Sequence, residues 1–582
     1  MPLNKQNRYF CSNGGYFYML AENLSHYTDE RNVQLLISLL KQWGLSQVIA
    51  SPGSTHGTFV RCAQIDPFFK LYSCVDERSA AYMACGMAAE SGKPVIIACT
   101  QATASRNYLP ALTEAYYRKL PVIAITGARE EADIGSLMPQ VIDRRTVPND
   151  VCVMSVNIPV VKDAVDERFC EIELNKAFAA MKLKNGGGPI HINLESRYSL
   201  NFGVRQLPLA RKIPTYTAED ELPAIEAVRV GVFVGAHNRW SERLTNAVDA
   251  FCKKYNAVVL CDHTSNYRGK YGTVFTLQAN QYHYKSKVAN MDLLIHIGNV
   301  SPNYYAIINL KPAKVWRVNP DGNYSDLFHT LSGVFKMSEE IFFENYISLN
   351  MKAPPSKEKL WETAQEEHTA VLNAIPDLAF SNLFCCQKIA ALLPQDCVLH
   401  FGRSNSSRSI NMFDIDSSIT AYSNVGGCGI DGSISSCIGS ALASPEKLHF
   451  LILGDLSFFY DINSLGNRHI KNNIRILLVN NGLGVEFKVG FNFLRLFEKD
   501  TNPYMAAEGH FGSKSPDLVR HWAEDLGFEY LTANDKLSFK QNLARFVSPM
   551  EETDKPILFE VFTDEKNEHD ALEMILGCYR EH

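Results

Sequence analysis

Leu448-His449-Phe450-Leu451-Ile452-Leu453-Gly454-Asp455-Leu456-Ser457 opens as an apolar run of buried-strand length and stops at a glycine followed by a carboxylate. One helix-length segment later a second run, Ile474-Arg475-Ile476-Leu477-Leu478-Val479, stops in the same way at the amides Asn480-Asn481. Strand, helix and strand in that succession predict two parallel strands of one sheet, with Asp455 and Asn481 at or just past their carboxyl ends. Open α/β sheets bind their ligands at such strand ends. Mg²⁺ takes oxygen ligands from one or two side chains and completes its octahedron with phosphate oxygens and water. A carboxylate and an amide oxygen supply that chemistry, so the two runs point to a Mg²⁺ ion held against a diphosphate. The competing reading is a buried aspartate capping the next helix beside a polar turn.

The alternation extends outward into three blocks. After an N-terminal extension, residues 1–28, the first block covers 29–205 and holds strand candidates at 47–50, 94–100, 121–126 and 189–194. A proline-bearing connector, Leu207 to Pro214, leads into the second, 206–355, with candidates at 230–234, 257–261, 293–297 and 315–318. A further connector, Met351 to Lys357, leads to the third, 356–582, with candidates at 398–401, 449–453, 474–479 and 557–562. Strands alternating with helical patterns predict an α/β architecture of three doubly wound parallel-sheet domains. No short repeat or low-complexity tract interrupts them.

A chain of 582 residues accommodates three or four domains of ordinary size, and 46% hydrophobic residues is an ordinary soluble composition. A net charge of −6 without a basic tract argues against nucleic-acid and anionic-membrane partners. No run approaches the ~18–20 apolar residues of a membrane helix. The opening Met1-Pro2-Leu3-Asn4-Lys5-Gln6 lacks a signal peptide's apolar region, so a cytoplasmic location is expected. The fifteen cysteines include no C-x-x-C pair; Cys85, Cys99, Cys252 and Cys437 lie in apolar segments and read as reduced core residues.

A second element lies far upstream. Asp76-Glu77-Arg78 precedes the small-residue segment Ala80 to Ala88, which puts Glu77 at the start of a helix, where the macrodipole alone would favour it. Taken with Gly454-Asp455 and Asn480-Asn481, this arrangement resembles the thiamine diphosphate enzymes. A longer series can be followed through the chain: Ser51-Pro52-Gly53-Ser54, Asp76-Glu77-Arg78, Ser91-Gly92-Lys93-Pro94-Val95, Thr126-Gly127-Ala128-Arg129 and Gln140. It continues with Gly402 to Arg408, Ser423-Asn424, Gly429-Ile430-Asp431-Gly432, and Gly454-Asp455-Leu456-Ser457 with Tyr460-Asp461. In this order it is similar to the menaquinone-pathway (MenD-like) family that makes 2-succinyl-5-enolpyruvyl-6-hydroxy-3-cyclohexene-1-carboxylate from 2-oxoglutarate and isochorismate. The similarity runs from about Ser51 to Val485, dense at both ends and sparse between.

The resemblance implies a pyrimidine-binding, a central and a diphosphate-binding domain, thiamine diphosphate and Mg²⁺ as cofactors, and no flavin. It also implies a homodimer, or a tetramer of two such pairs, with each active site between subunits. Glu77 matches the glutamate that hydrogen-bonds the aminopyrimidine ring and relays its proton, help typically worth ~10²–10⁴ in rate. Asp455 and Asn481, with the backbone carbonyl of Leu483 or Gly484, would hold the metal. The family's usual spacing falls on Gly482, one residue later: either the intervening loop is one residue shorter, the reading that favours Asn481, or the ligand has been lost. Ile430 matches the apolar residue that wedges beneath the cofactor, and Gly427, Gly429, Gly454, Leu456, Ser457, Ser404 and Thr100 are assigned to cofactor contact. Gly427 to Gly432 also fits G-x-G-x-x-G with Asp455 23 residues on. That aspartate belongs to the metal motif, however, and no strong strand directly precedes the glycines, which argues against a nicotinamide site.

Ser404 and Arg408 match residues that hold the distal carboxylate of the 2-oxoglutarate-derived unit, a task suited to the paired bonds of a guanidinium. The acceptor side departs from the family. Where its cations are expected stand Thr55, followed by His56, then Val425 and Tyr304-Tyr305, while Arg129 and Gln140 remain. A dicarboxylate acceptor would be poorly paired there. The expected activity is that of a thiamine diphosphate-dependent lyase or transferase. It would decarboxylate a 2-oxo acid with a distal anionic group and pass the acyl unit to an unidentified acceptor or to a proton. Glu486 and His56 are candidates for the later proton transfers, His56 being equally readable as a solvated loop residue. Simple decarboxylation and a non-catalytic thiamine-fold protein are the alternatives.

Overall fold

The computed structural model describes residues 24–182, 187–238, 240–349, 354–356, 358–490 and 492–580. Most of the expected N-terminal extension, Met351 to Ala353 and Lys357 of the second connector, Phe491 and the side chain of Tyr305 lie outside the described residues.

Three sheets with interleaved helices make up the fold, in agreement with the α/β expectation. The first contains β1 (Gln47–Ala50), β2 (Lys70–Ser73), β3 (Val95–Cys99), β4 (Val122–Ala128), β5 (Met154–Ile158) and β6 (Ile190–Glu195), in the order β2-β1-β3-β4-β6-β5. The second contains β7 (Thr215–Thr217), β8 (Val230–Val234), β9 (Val258–Cys261), β10 (Gly272–Val274), β11 (Asn290–Ile297), β12 (Lys311–Val318) and β13 (Leu331–Lys336), in the order β10-β9-β8-β11-β12-β13-β7. The third contains β14 (Val398–Phe401), β15 (Thr420–Tyr422), β16 (His449–Gly454), β17 (Ile474–Asn480), β18 (Glu529–Ala533) and β19 (Ile557–Phe562), in the order β15-β14-β16-β17-β19-β18.

Every pairing in the first and third sheets is parallel. The two sheets share one topology. In each, the chain leaves its first strand toward one side, makes the second strand there, and returns past the first to make the third. The crevice between first and third strands, β1 and β3 or β14 and β16, is therefore the topological switch point where such sheets bind ligands.

The central strands are buried from end to end, as β3, β4, β8 and β17 are, because helices cover both faces. In the first sheet, Leu36, Leu39 and Leu40 of helix Arg31–Gln42 join Phe178 in one core, and Ala80, Ala81, Ala84 and Ala88 of helix Glu77–Ser91 join Tyr108 and Ala111 in another. The strands absent from the sequence pattern are β2, β5, β7, β10, β13, β15 and β18. All but β13 lie at a sheet edge. Cys85, Cys99, Cys252 and Cys437 are buried free thiols, and burial pushes the pKa of each one upward.

The chain divides into two compact units, residues 1–215 and 216–582. The first carries the first sheet; the second carries the third sheet and nearly all of the second. No described helix is long and apolar enough to cross a membrane.

Candidate functional site

In the third sheet, β16 ends at Gly454 and Asp455 opens helix Asp455–Tyr460, while β17 ends at Asn480 and Asn481 follows. Gly454 pairs with Val479, so the two strand ends lie side by side. Asp455 is 6% exposed. Its Oδ1 accepts the Leu456 N–H at 2.9 Å, and the Gly482 N–H also reaches its carboxylate. Burial nevertheless pushes its pKa up to about 7, outweighing those N–H bonds, and the nearby Glu560 charge adds to the rise. Asn480 is engaged elsewhere: its Nδ2 donates to Glu560 Oε1 at 2.7 Å and its Oδ1 accepts the Gly482 N–H at 3.2 Å.

Asn481, by contrast, has a buried Oδ1 with no hydrogen-bond partner. A desolvated carboxylate and a nearby orphaned amide oxygen form a corner that a hard cation would satisfy, and the donor set fits Mg²⁺. The carbonyls of Leu483 and Gly484 each accept one bond within the turn, from Val485 and Phe487, which leaves each a second lone pair. Among the described residues no group of three or more His, Cys, Asp and Glu side chains could hold a metal, which is consistent with a site built from one carboxylate, one amide and a peptide oxygen.

Side-chain bonds draw the glycine-rich loop to this corner. Ser457 donates through Oγ to the Ile430 carbonyl at 2.5 Å and to Ser433 Oγ at 3.3 Å. Asp461 accepts the Ser435 N–H at 2.6 Å and its hydroxyl at 2.7 Å, clamping the first turn of helix Ser433–Ala443. Gly427 has open space on its side-chain face, and at Gly429 a Cβ would stand 2.2 Å from Asp431 Oδ1. Leu456 packs on Gly484, where a Cβ would lie 3.2 Å from Leu456 Cδ1. The strand ahead of this loop, β15, is a three-residue edge strand, not the central strand that a dinucleotide fingerprint follows. Ser404 stands past β14, on the other lip of the switch point, with a left-handed φ of +60°.

Arg408 lies in helix Asn405–Ile410 and is 8% exposed. It donates through Nη2 to Glu486 Oε2 at 2.7 Å, through Nη1 to Glu486 Oε1 at 3.3 Å, and through Nη2 to Asn405 Oδ1 at 3.1 Å. Two residues expected to act separately are thus partners. Behind them is a carboxylate that the sequence pattern missed. Glu568, 3% exposed, accepts from the Asn382 N–H at 2.8 Å, Thr563 Oγ1 at 2.8 Å and Asn405 Nδ2 at 3.3 Å, and burial raises its pKa. No motif marks Glu568, which lies 163 residues from Asn405.

In the first unit, Glu77 is the first residue of its helix, behind the N-cap Asp76, whose side chain accepts the Ser79 N–H at 2.7 Å. Glu77 is half-buried, with Asn107 Nδ2 3.5 Å from Oε2. His56 is not a solvated loop residue: it is 2% exposed, its Nε2 is 2.9 Å from the Ser51 carbonyl, and its Nδ1 has no partner. Burial lowers its pKa, while the Ser51 carbonyl and the Glu77 charge oppose that shift.

Thr55, 1% exposed, bonds Thr100 through the two hydroxyls at 2.5 Å, so it is turned inward rather than offered to a ligand. A Cβ on Gly53 would meet Thr100 Cβ at 2.4 Å, and one on Gly127 would meet the Thr55 carbonyl carbon at 2.7 Å. These close approaches bring the ends of β1, β3 and β4 together around His56. Arg129 places its guanidinium carbon 4.8 Å from the Tyr198 ring centre, and Gln140 is exposed with a φ of +70°.

Residues 31–147 match the thiamine pyrophosphate enzyme N-terminal TPP-binding domain. Over 567 residues the chain is 30% identical to the 2-succinyl-5-enolpyruvyl-6-hydroxy-3-cyclohexene-1-carboxylate synthase of Bacteroides thetaiotaomicron, spanning 93% of this chain and 97% of the relative. It is 31% identical to the synthase of the same name from Phocaeicola vulgatus, with the same coverage. The chain belongs to this synthase family. Its relative in Flavobacterium johnsoniae is 29% identical over 552 residues, 91% of this chain and 95% of the relative. The protein is thus a thiamine diphosphate-dependent enzyme of the lyase and transferase class, and the similarity extends through the central region where recognisable motifs are sparse.

Proposed function

We propose that this enzyme, with Mg²⁺ as well as thiamine diphosphate, decarboxylates a 2-oxo acid bearing a distal anionic group, 2-oxoglutarate in the first instance. It passes the remaining acyl unit to an acceptor other than a dicarboxylate. The bound cofactor supplies the electron sink for loss of CO₂. The rest is the work of this chain's own residues. Asp455, Asn481 and a carbonyl of Leu483 or Gly484 hold the cation, and Ile430 with Gly427, Gly429, Gly454, Leu456, Ser457, Ser404 and Thr100 forms the cofactor's bed. Glu77 would hold the aminopyrimidine and be the side chain that carries the activating proton. Arg408, aided by Ser404, grips the donor's far carboxylate, and Arg129 and Gln140 face the acceptor. His56 and Glu486 handle the later protons. Two copies complete the sites, as a dimer or a tetramer, which light scattering of the purified protein would check.

The buried Arg408 guanidinium at the carboxyl edge of the third sheet carries this reading, because it presents two N–H groups in the fork that grips a carboxylate, a place that Glu486 fills. The doubt about a dicarboxylate acceptor is supported by Thr55 and Val425, buried at 1% and 7% exposure where the family's cations are expected. The test is Arg408→Ala. Truncating one partner of a buried charged pair costs ~2 kcal/mol or more, so KM for 2-oxoglutarate should rise about 30-fold or more while KM for pyruvate changes little. An equal effect on both acids refutes the donor assignment.

A further inference from the structure

Arg408 already holds a carboxylate, and it is the protein's own. Glu486 meets the guanidinium with both oxygens, at 2.7 and 3.3 Å, the two-pronged geometry that a substrate carboxylate would use. The partners differ in freedom. The Arg408 side chain is 6% exposed and also bonds Asn405, whereas the Glu486 side chain is 26% exposed. Glu486 sits in the single 3₁₀ turn Val485–Phe487, anchored by the buried Val485 and followed by Gly490 at a left-handed φ of +62°. Asn405, which shares Arg408 Nη2 with Glu486, is bonded in turn to the buried Glu568, which fixes that nitrogen from the protein side. One edge of a guanidinium cannot serve two carboxylates in the same fork, so a donor anion and Glu486 exclude one another there.

We propose that Glu486 is a displaceable internal occupant of the donor's anion subsite. With no donor bound, it neutralises Arg408 and spares the fold an unpaired buried cation. A donor with a distal carboxylate takes the guanidinium from it and turns Glu486 toward solvent; a donor without one leaves the pair closed. Glu486 therefore sets how well an anion must fit before it is accepted, and its release in the crevice places a free carboxylate near the reacting unit only when the acidic donor has arrived. This rests on the reading of Arg408 as the donor's grip.

Glutarate, which carries the far carboxylate but has no 2-oxo group to react, is the probe. Its binding to the full chain loaded with thiamine diphosphate and Mg²⁺ is measured by calorimetry for the unaltered enzyme, Glu486→Gln and Arg408→Ala. Glu486→Gln should bind glutarate about tenfold more tightly, a difference of ~1.4 kcal/mol, and KM for 2-oxoglutarate should fall relative to that for pyruvate. If Glu486→Gln binds glutarate no better while Arg408→Ala abolishes binding, the displacement is wrong and the donor grip stands. If Arg408→Ala binds as the unaltered enzyme does, the donor grip itself has failed. Should Glu486→Gln not fold, hydrogen exchange on the unaltered enzyme decides. Glutarate should speed exchange in the Val485–Phe487 turn, whose Phe487 N–H bonds the Gly484 carbonyl at 3.0 Å, and protection of that turn overturns the proposal.

Discussion

Replacing Asp455 by asparagine should stabilise the metal-free protein at alkaline pH and abolish its response to Mg²⁺. The carboxyl is held at about 7 instead of its ordinary 3.8, chiefly because burial desolvates it. At ~1.4 kcal/mol per pH unit, ionising it costs ~4 kcal/mol more in the fold than in the unfolded chain. A group whose folded pKa lies above its unfolded value takes up a proton on folding. Its contribution is therefore most favourable below the unfolded value and is lost as pH rises from about 4 through about 7.

Asparagine keeps the shape and the acceptor oxygen for the Leu456 N–H but carries no charge. In EDTA at pH 8.5 the variant should gain a few kcal/mol over the parent, up to ~4; at pH 5 the gain should be less than half of that. Urea denaturation at the two pH values measures both numbers. Saturating Mg²⁺ with thiamine diphosphate should raise the melting temperature of the parent and leave the variant unmoved. A variant less stable than the parent at pH 8.5 without metal would refute the idea that this corner is an unneutralised carboxylate awaiting a cation.

Three further outcomes are expected. Asn481→Ala removes a buried oxygen that has no partner, so the metal-free protein should lose no stability, as urea denaturation against the parent measures; its Mg²⁺-dependent retention of cofactor, followed by equilibrium dialysis, should weaken at least about tenfold. Glu77→Gln should keep cofactor affinity but lose ~10²–10⁴ in kcat, since an amide cannot carry the proton, and near-normal turnover removes Glu77 from the chemistry. Gly127→Ala drives a Cβ to 2.7 Å from the Thr55 carbonyl carbon. It should destabilise the protein by ~1–3 kcal/mol, and an unchanged melting temperature would show that β4 and the loop after β1 yield there at no cost.

The Arg408–Glu486 pair changes how the site is understood. Each residue taken alone suggests a role toward a ligand; together they satisfy one another. Asn405 and Glu568 extend the arrangement inward, so Arg408 on the crevice lip is a paired and bonded guanidinium and not a lone cation awaiting substrate.

Local sequence was sufficient wherever the chain's own neighbours dictate the outcome. The central strands β3, β4, β16 and β17 are predominantly apolar because both faces are covered, and such runs can be read without knowing what covers them. Asp455 at a strand end and Glu77 at a helix start follow from the same local rule, the place where an apolar or small-residue pattern begins or stops. Edge strands escaped because none is buried along its length: β2, β7 and β18 have only partial burial, and their residues follow no continuous apolar pattern.

Contacts made across long stretches of chain were equally out of reach. The inward turn of Thr55 onto Thr100, the burial of His56, the capture of Glu486 by Arg408 78 residues away and the orphaned oxygen of Asn481 all depend on which strand ends the topology sets beside one another. Residue type announces that a carboxylate or a guanidinium is present. Whether it faces a ligand or another side chain is set by packing, because a buried charge is stabilised only by the partners that the fold brings beside it.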